Sequence, residues 1–312
     1  MRIVFFGTPE LAVPSLAALA SAHSVVSVVC QPDRPQGRSA KLVPPPTKVF
    51  AEAHGLPVHQ PEKLNDGAFE DWLKARQPDL CAVTAYGRLL KQPLLDVPPL
   101  GYLNVHPSLL PRHRGPSPIS SAILAGDAET GVSIMRLLLE MDAGDLLIQE
   151  RTPIDPDENT EELSQRLAAI GARLLVQGVD QVASGAAVFA PQDVARVTLS
   201  RMFEKKDGHV DWTRSAREIH NLVRAAYPWP SAQTLLHGES CRIHRSAVVD
   251  APAGAEPGVV VGVEKNRVVV ATGEGQLALL VFQAPGKKAM PMGDFLRGHK
   301  MQAGDRFDPV PE

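Results

Sequence analysis

The sequence predicts a two-part α/β protein, a mainly parallel sheet with helices on both faces followed by a small all-β barrel. Three observations predict it. Segments patterned as strands alternate with segments patterned as helices through the first part of the chain. After about Pro191 the texture changes to short β-branched runs separated by glycine and proline. The 312 residues also exceed the usual extent of one hydrophobic core, so two domains are expected.

Arg2–Phe6 is a short apolar run that reads as the first strand, and Pro14–Ala22, opened by proline and rich in Ala and Leu, reads as a helix. The β-branched run Ser24–Cys30 is a second strand. Thr47–His54 and Phe69–Arg76 read as helices. Leu80–Ala85 and Tyr102–His106 are strands, Ile119–Ala125 a helix and Gly131–Leu139 a strand. Such alternation implies a Rossmann-like sheet, with ligands at the carboxyl ends of its strands. Gly258–Val261, Arg267–Ala271 and Leu277–Val281 are strands of the smaller domain. The expected organisation is a catalytic domain over 1–192, a linker over 193–208 and a barrel over 209–312. The Pro-rich stretch Gln31–Pro46, with Arg34, Arg38, Lys41 and Lys48 in or beside it, reads as a long loop.

Composition bounds the class. A hydrophobic content of 44% and a charged content of 21% are those of an ordinary globular protein. No long apolar run and no signal peptide is visible, so a cytoplasmic protein without a membrane partner is expected. Cys30, Cys81 and Cys241 are odd in number and widely spaced, which argues against a disulfide framework or a cysteine zinc site. Net charge divides unevenly, 17 Lys+Arg against 22 Asp+Glu over residues 1–200 and 15 against 13 over 201–312. The second part is mildly basic, a weak sign of a polyanionic partner.

The chemistry concentrates at Asn104-Val105-His106-Pro107 and at Met141-Asp142-Ala143-Gly144-Asp145. In a strand, residues i and i+2 share a face, so Asn104 and His106 project together beyond the strand end. Pro107 then stops the ladder, and an Arg-bearing loop follows. His113, flanked by Arg112 and Arg114, is expected to face solvent. A carboxylate near His106 would favour its protonated form and fix its tautomer; Asp142 or Asp145 can serve, and spacing does not choose. Ser108 lacks the Gly-flanked elbow of serine hydrolases, so direct transfer is favoured over a covalent intermediate. In direct acyl transfer to an amine, Asn104 can donate to the developing oxyanion and His106 can donate there or move the proton. Gly7-Thr8-Pro9-Glu10 follows the first strand without the spaced glycines of a dinucleotide fingerprint, so NAD is not expected. No helical ligand spacing implies a metal.

These segments together resemble the methionyl-tRNA formyltransferase family of folate-dependent enzymes, over nearly the whole chain. The resemblance rests on Phe6–Glu10, Gln31–Arg38, Ala85-Tyr86-Gly87, Asn104-Val105-His106 with Ser108–Pro111, Gly126–Gly131, Met141–Asp145, Pro228-Trp229-Pro230 and Pro285–Met290. It implies formyl transfer from 10-formyltetrahydrofolate to the amino group of methionine on charged initiator tRNA, by a monomer without a metal. It also implies Asn104, His106 and Asp142 as the catalytic trio. Tyr86, Gly87, Ser108, Leu109, Leu110, Pro111 and Gly144 are implied at the folate site, and Arg34, Arg38, Lys41, Lys287 and Lys288 at the tRNA. The second domain becomes an OB-like barrel. Arg88, Ser120, Leu199 and Met202 depart from the apolar residue, Gln, Tyr and Lys common in the family. For Lys287 and Lys288 the plain reading of the residues alone is a solvated turn, and Trp212 and Trp229 are expected in the core rather than as stacking platforms. Two other readings keep part of this pattern: the same donor with a sugar amine or water as acceptor, and an RNA-binding protein on a degenerate α/β scaffold.

Overall fold

The computed structural model describes residues 1–36 and 41–311. In chain order the first elements are β1 (Arg2–Gly7), α1 (Val13–Ala22), β2 (Ser24–Val29), β3 (Arg34–Gln36), β4 (Lys41–Val43), α2 (Pro46–Ala53), β5 (Val58–His59), α3 (Ala68–Ala75), β6 (Leu80–Thr84), α4 (Gln92–Leu95) and β7 (Tyr102–His106). They continue as α5 (Pro118–Ala125), β8 (Glu129–Arg136), β9 (Leu146–Pro153) and α6 (Thr160–Ala183). Residues 1–118, 129–153 and 164–200 form one compact unit. Its sheet has the order β5-β2-β1-β6-β7-β8-β9, parallel through β7, with β8 and β9 antiparallel at the edge. Ile3, Val4, Phe5 and Phe6 are all fully buried, so both faces of β1 are covered, as a parallel strand requires. The Phe6 ring meets Tyr86 edge-on at 5.4 Å within a cluster that includes Phe69, Leu73 and Tyr102.

The carboxyl ends of the parallel strands are tied to one another. Thr8 Oγ1 donates to the Tyr86 carbonyl at 3.1 Å, Gln31 Nε2 donates to the same carbonyl at 2.9 Å, and Thr47 Oγ1 donates to the Gly7 carbonyl at 2.9 Å. A Cβ at Gly7 would lie 2.6 Å from the Phe5 ring and 2.8 Å from Ala12, so close packing at the strand-to-helix turn demands glycine there.

Within the stretch read as a loop, β3 and β4 form a hairpin. Three-residue strands with Pro35 among them carry no alternation to read. The hairpin base is fixed by Lys48 Nζ, which donates to both Asp33 oxygens at 3.0 Å and to Gln60 Oε1 at 2.9 Å. β9 and α6 lie where the alternation gives no expectation. For α6 a signal is present: the Glu162 N–H donates to Asn159 Oδ1 and the Asn159 N–H to Glu162 Oε2, both at 3.0 Å, a reciprocal helix cap.

Residues 119–128, 154–163 and 201–312 form the second unit. Its later elements are α7 (Ala216–Ala225), β10 (Ala232–Leu236), β11 (Glu239–Val249), β12 (Val260–Val263), β13 (Val268–Ala271), β14 (Gln276–Gln283), β15 (Met290–Pro291), α8 (Met292–Gly298) and β16 (Phe307–Asp308). The antiparallel sheet runs β12-β13-β14-β11-β10-β16, with β15 on β14. It curls until its ends meet: the Val260 N–H donates to the Asp305 carbonyl at 2.8 Å and the Phe307 N–H to the Gly258 carbonyl at 2.8 Å. The expected OB-like barrel is therefore present. Ile243, Leu279, Phe282 and Phe307 fill it, with Trp212 donating Nε1–H to Thr234 Oγ1 at 2.9 Å. Trp229 is not in this core. It stands 60% exposed between two prolines.

Candidate active site

β7 lies between β6 and β8, with Asn104 opposite Val83 and Met135, so its end opens where β6 also ends. Asn104 and His106 are both buried on it. Among the described residues no hydrogen bond engages the Asn104 side chain, which leaves its amide available as a donor. His106 Nε2 lies 3.1 Å from the His113 carbonyl. A carbonyl only accepts, so Nε2 carries the proton and Nδ1 is the basic nitrogen of the neutral ring. Nδ1 faces Asp142 Oδ2 at 3.6 Å. Asp145 is exposed, so of the two carboxylates in this turn Asp142 is the one that meets the imidazole.

The same Asp142 Oδ2 is held in place by the Gly115 N–H, which it accepts at 2.8 Å. It sits at φ 52, a left-handed conformation that turns the carboxylate inward. Gly144 completes this turn. A Cβ there would come within 1.7 Å of the Arg136 carbonyl oxygen, so only glycine allows the loop to lie this close to β8.

His113 corrects the expectation that it faces solvent, for it is buried at φ 57. Its N–H donates to Thr198 Oγ1 at 2.8 Å while its carbonyl turns to His106. Residues in the expected linker are responsible. The Arg114 N–H donates to the Thr198 carbonyl at 2.9 Å, and the Ser200 N–H to the Arg114 carbonyl at 2.7 Å, so Thr198–Ser200 pairs with the loop after β7 through a parallel β-bridge.

Ser108–Pro111 is a built loop. Ser133 Oγ donates to the Ser108 carbonyl at 2.7 Å and accepts the Leu110 N–H at 3.1 Å, and Gln149 Nε2 donates to the Leu110 carbonyl at 2.9 Å and to Ser133 Oγ at 2.8 Å. The Ser108 hydroxyl is spent within it, donating to the Arg112 carbonyl at 2.7 Å. Leu109 is partly exposed, while Leu110 and Pro111 are buried. Tyr86 is buried, its phenol pushed up to about 12 by burial, and Gly87 beside it is exposed at φ 76. Arg88 donates to the carbonyls of Pro61 at 2.7 Å and Glu62 at 3.0 Å, and its charge near the Tyr86 phenol opposes that rise. Ser120 Oγ lies 3.3 Å from Thr160 Oγ1, and Leu199 and Met202 are exposed.

Of the basic residues, Arg34 and Lys41 are exposed on the β3–β4 hairpin, Arg34 donating to Gln31 Oε1 at 2.9 Å. Arg38 lies outside the described residues. Lys287 and Lys288 are exposed on the turn after β14. Among the described residues no cluster of three His, Cys, Asp or Glu could hold a metal, and no helix is long and apolar enough to cross a membrane.

Burial holds His106 below the ordinary histidine value, outweighing the upward pull of Asp142 and of the His113 carbonyl. Burial also lowers His59, with Arg76 adding to it, and lowers His220 against the Pro156 carbonyl that raises it. Below about 6.5 the unfolded chain therefore binds more protons at these histidines than the folded one. Their contribution to stability is complete above that pH and is lost as pH falls through the window beneath it. Scanning calorimetry should show Tm falling between about pH 7 and pH 5. A flat Tm across that window would contradict the burial argument.

Comparison with known proteins follows the same division of the chain. The formyl transferase family matches residues 1–179 and its C-terminal domain residues 202–300. Methionyl-tRNA formyltransferase of Chloroflexus aggregans is 46% identical over 96% of this chain and 97% of its own, and that of Moorella thermoacetica 44% identical over 98% of each. Among solved structures, an N-formyltransferase from Helicobacter canadensis, complexed with folinic acid and dTDP-3-aminofucose, matches at TM-score 0.68 and 16% identity, covering 91% of this chain and 99% of its own. HypX from Aquifex aeolicus matches at TM-score 0.67 and 18% identity over 97% of this chain and 49% of its own. At those identities the two structures speak for the fold alone.

Proposed function

Because the chain belongs to the formyl transferase family and matches methionyl-tRNA formyltransferases over nearly its whole length, we propose that Asn104, His106 and Asp142 carry out formyl transfer to the amino group of methionine on charged initiator tRNA. The formyl donor is 10-formyltetrahydrofolate, which supplies an activated formyl carbon. The observation that carries the assignment is the buried His106, set between the His113 carbonyl and the Asp142 carboxylate, on the same strand face as an amide with no partner of its own among the described residues.

As the amine attacks the formyl carbon, negative charge grows on the carbonyl oxygen. The Asn104 amide donates to it, an interaction stronger in the transition state than before it. The attacking nitrogen must lose a proton, and His106 Nδ1 takes it. The imidazolium so formed donates to the His113 carbonyl from one nitrogen and faces the Asp142 carboxylate with the other. Collapse of the tetrahedral adduct then breaks the bond between the formyl carbon and N10 of the donor, and the imidazolium returns its proton to that nitrogen, so tetrahydrofolate leaves and His106 is again neutral. The built loop Ser108–Pro111, with Tyr86, Gly87 and Gly144, is the proposed folate-facing wall.

The catalytic domain is taken as 1–192, the linker as 193–208 and the tRNA-binding barrel as 209–312, acting as a cytoplasmic monomer. The direct test is transfer of labelled formyl to initiator methionyl-tRNA, with elongator methionyl-tRNA, a sugar amine and no acceptor alongside. Initiator-dependent transfer supports the reading. Donor loss without an acceptor would make it a hydrolase, and transfer to the sugar amine alone would reassign the acceptor.

Arg34 and Lys41 on the hairpin, Arg38 from the same stretch of sequence, and Lys287 and Lys288 on the barrel are proposed to meet tRNA phosphates. Each neutralised phosphate releases counterions, so the salt slope of log K changes by about 0.7 to 0.9 for each phosphate left unneutralised. Arg38→Ala or Lys41→Ala should therefore raise KM for tRNA and flatten its salt dependence while leaving donor binding unchanged. An unaltered salt slope in both variants would remove the hairpin from the tRNA surface.

A further inference from the structure

Gln192 is buried at the end of a segment expected to lead into the linker, and its side chain uses every hydrogen-bonding position a carboxamide has. Nε2 donates to the Asp142 carbonyl at 2.8 Å and to the Gly144 carbonyl at 2.7 Å. Oε1 accepts from Arg114 Nε at 3.1 Å and from Arg114 Nη2 at 2.9 Å. These two ends belong to the two loops that define the surroundings of His106. The Arg114 side supplies the His113 carbonyl and the Gly115 N–H, and the other side supplies the Asp142 carboxylate. The backbone around Gln192 is anchored as well, Ala190 exchanging hydrogen bonds with Leu146 at 2.8 and 2.9 Å.

We propose that Gln192 is a positioning residue for formyl transfer: by bridging the Arg114 loop to the Asp142 turn it sets the distance across which His106 meets its carboxylate. This rests on the assignment of His106 and Asp142 made above. A carboxamide suits the task, since it presents two donors to two carbonyls on one side and two lone pairs to a guanidinium on the other. Glutamate could serve Arg114 but would set an oxygen against the two carbonyls of the turn. Methionine has similar length and could serve neither. With the bridge gone, the turn carrying Asp142 is free to move away from Nδ1.

The test uses full-length Gln192→Met and Gln192→Glu with two readouts. The first is steady-state formyl transfer. The kcat of both variants should fall by about 10- to 100-fold, as for loss of a group that holds catalytic geometry, with KM for the formyl donor little changed. The second is an NMR titration of the His106 ring without substrate, which reads the geometry independently of turnover. The titratable groups facing that ring are Asp142 and His113, while the buried Arg114, bonded to Gln192, lies 3.7 Å from the exposed Glu140 carboxylate. Loss of the carboxylate's upward pull should move the His106 midpoint to lower pH in both variants. Folded variants with wild-type kcat and an unmoved midpoint would overturn the proposal, and so would a Gln192→Glu enzyme identical to wild type. A lowered Tm with both readouts unchanged would leave Gln192 a purely structural residue, which also overturns it. If wild type transfers no formyl yet the His106 midpoint moves in the variants, Gln192 keeps its place and the reading of the function fails.

Discussion

Asn104→Ala and His106→Ala should each remove most of the turnover while leaving the formyl donor bound. For Asn104 the expected loss is about 3 to 4 kcal/mol of transition-state stabilisation, the usual value of one oxyanion donor in a site closed to water. The amide has no protein partner among the described residues, so its deletion leaves no orphaned group and little strain. For His106 the expected loss in kcat is about 10²- to 10⁴-fold, the range for a positioned general base. Its replacement also unpairs the His113 carbonyl, so this variant should lose some Tm where Asn104→Ala does not. Because the two groups act on one transition state, the double variant should fall well short of the product of the single effects. Single-turnover transfer, with donor binding measured by equilibrium dialysis, separates chemistry from binding. Near-normal rates in both single variants would remove the strand Tyr102–His106 from the chemistry.

The part of this site legible in the sequence is the part written within one strand. Asn104 and His106 follow from a period of two, and the parallel strands around them follow from β-branched or apolar runs of five or six residues. Asp142 is reachable from sequence only as one of two carboxylates in one turn, because the choice depends on the left-handed backbone that turns one inward and leaves the other exposed. His113 is misplaced by the sequence for a related reason. Two flanking arginines signal solvent, yet its burial is decided by Thr198, 85 residues away in sequence. Gln192 carries no local signal, since each of its four bonds joins it to residues 48 to 78 positions distant. The same limit hides the pairing of Arg34–Gln36 with Lys41–Val43, three-residue strands stabilised by Lys48, Asp33 and Gln60 rather than by any pattern of their own.

Asp142→Asn tests the electrostatic half of the mechanism with almost no change of shape. The side-chain oxygen can still accept the Gly115 N–H, so the turn at residues 141–145 should persist. What disappears is the negative charge 3.6 Å from His106 Nδ1. Burial already holds that imidazole below its ordinary pKa, and Asp142 is the chief group pulling it back up. With the charge gone the histidine should titrate lower still, so the acid limb of kcat/KM should move to lower pH. The plateau should fall as well, because an imidazolium formed during transfer would lie buried without a counter-charge. In a Ser-His-Asp site the equivalent change costs on the order of 10⁴-fold in kcat, and a loss of about 10²-fold or more is expected here, where a single proton transfer is supported. Asp145→Asn, on an exposed neighbour in the same turn, should leave both the plateau and the acid limb where they are. If the two variants behave alike, Asp142 serves only to hold Gly115 and the loop. If only Asp142→Asn falls and shifts, the carboxylate acts through the charge on His106.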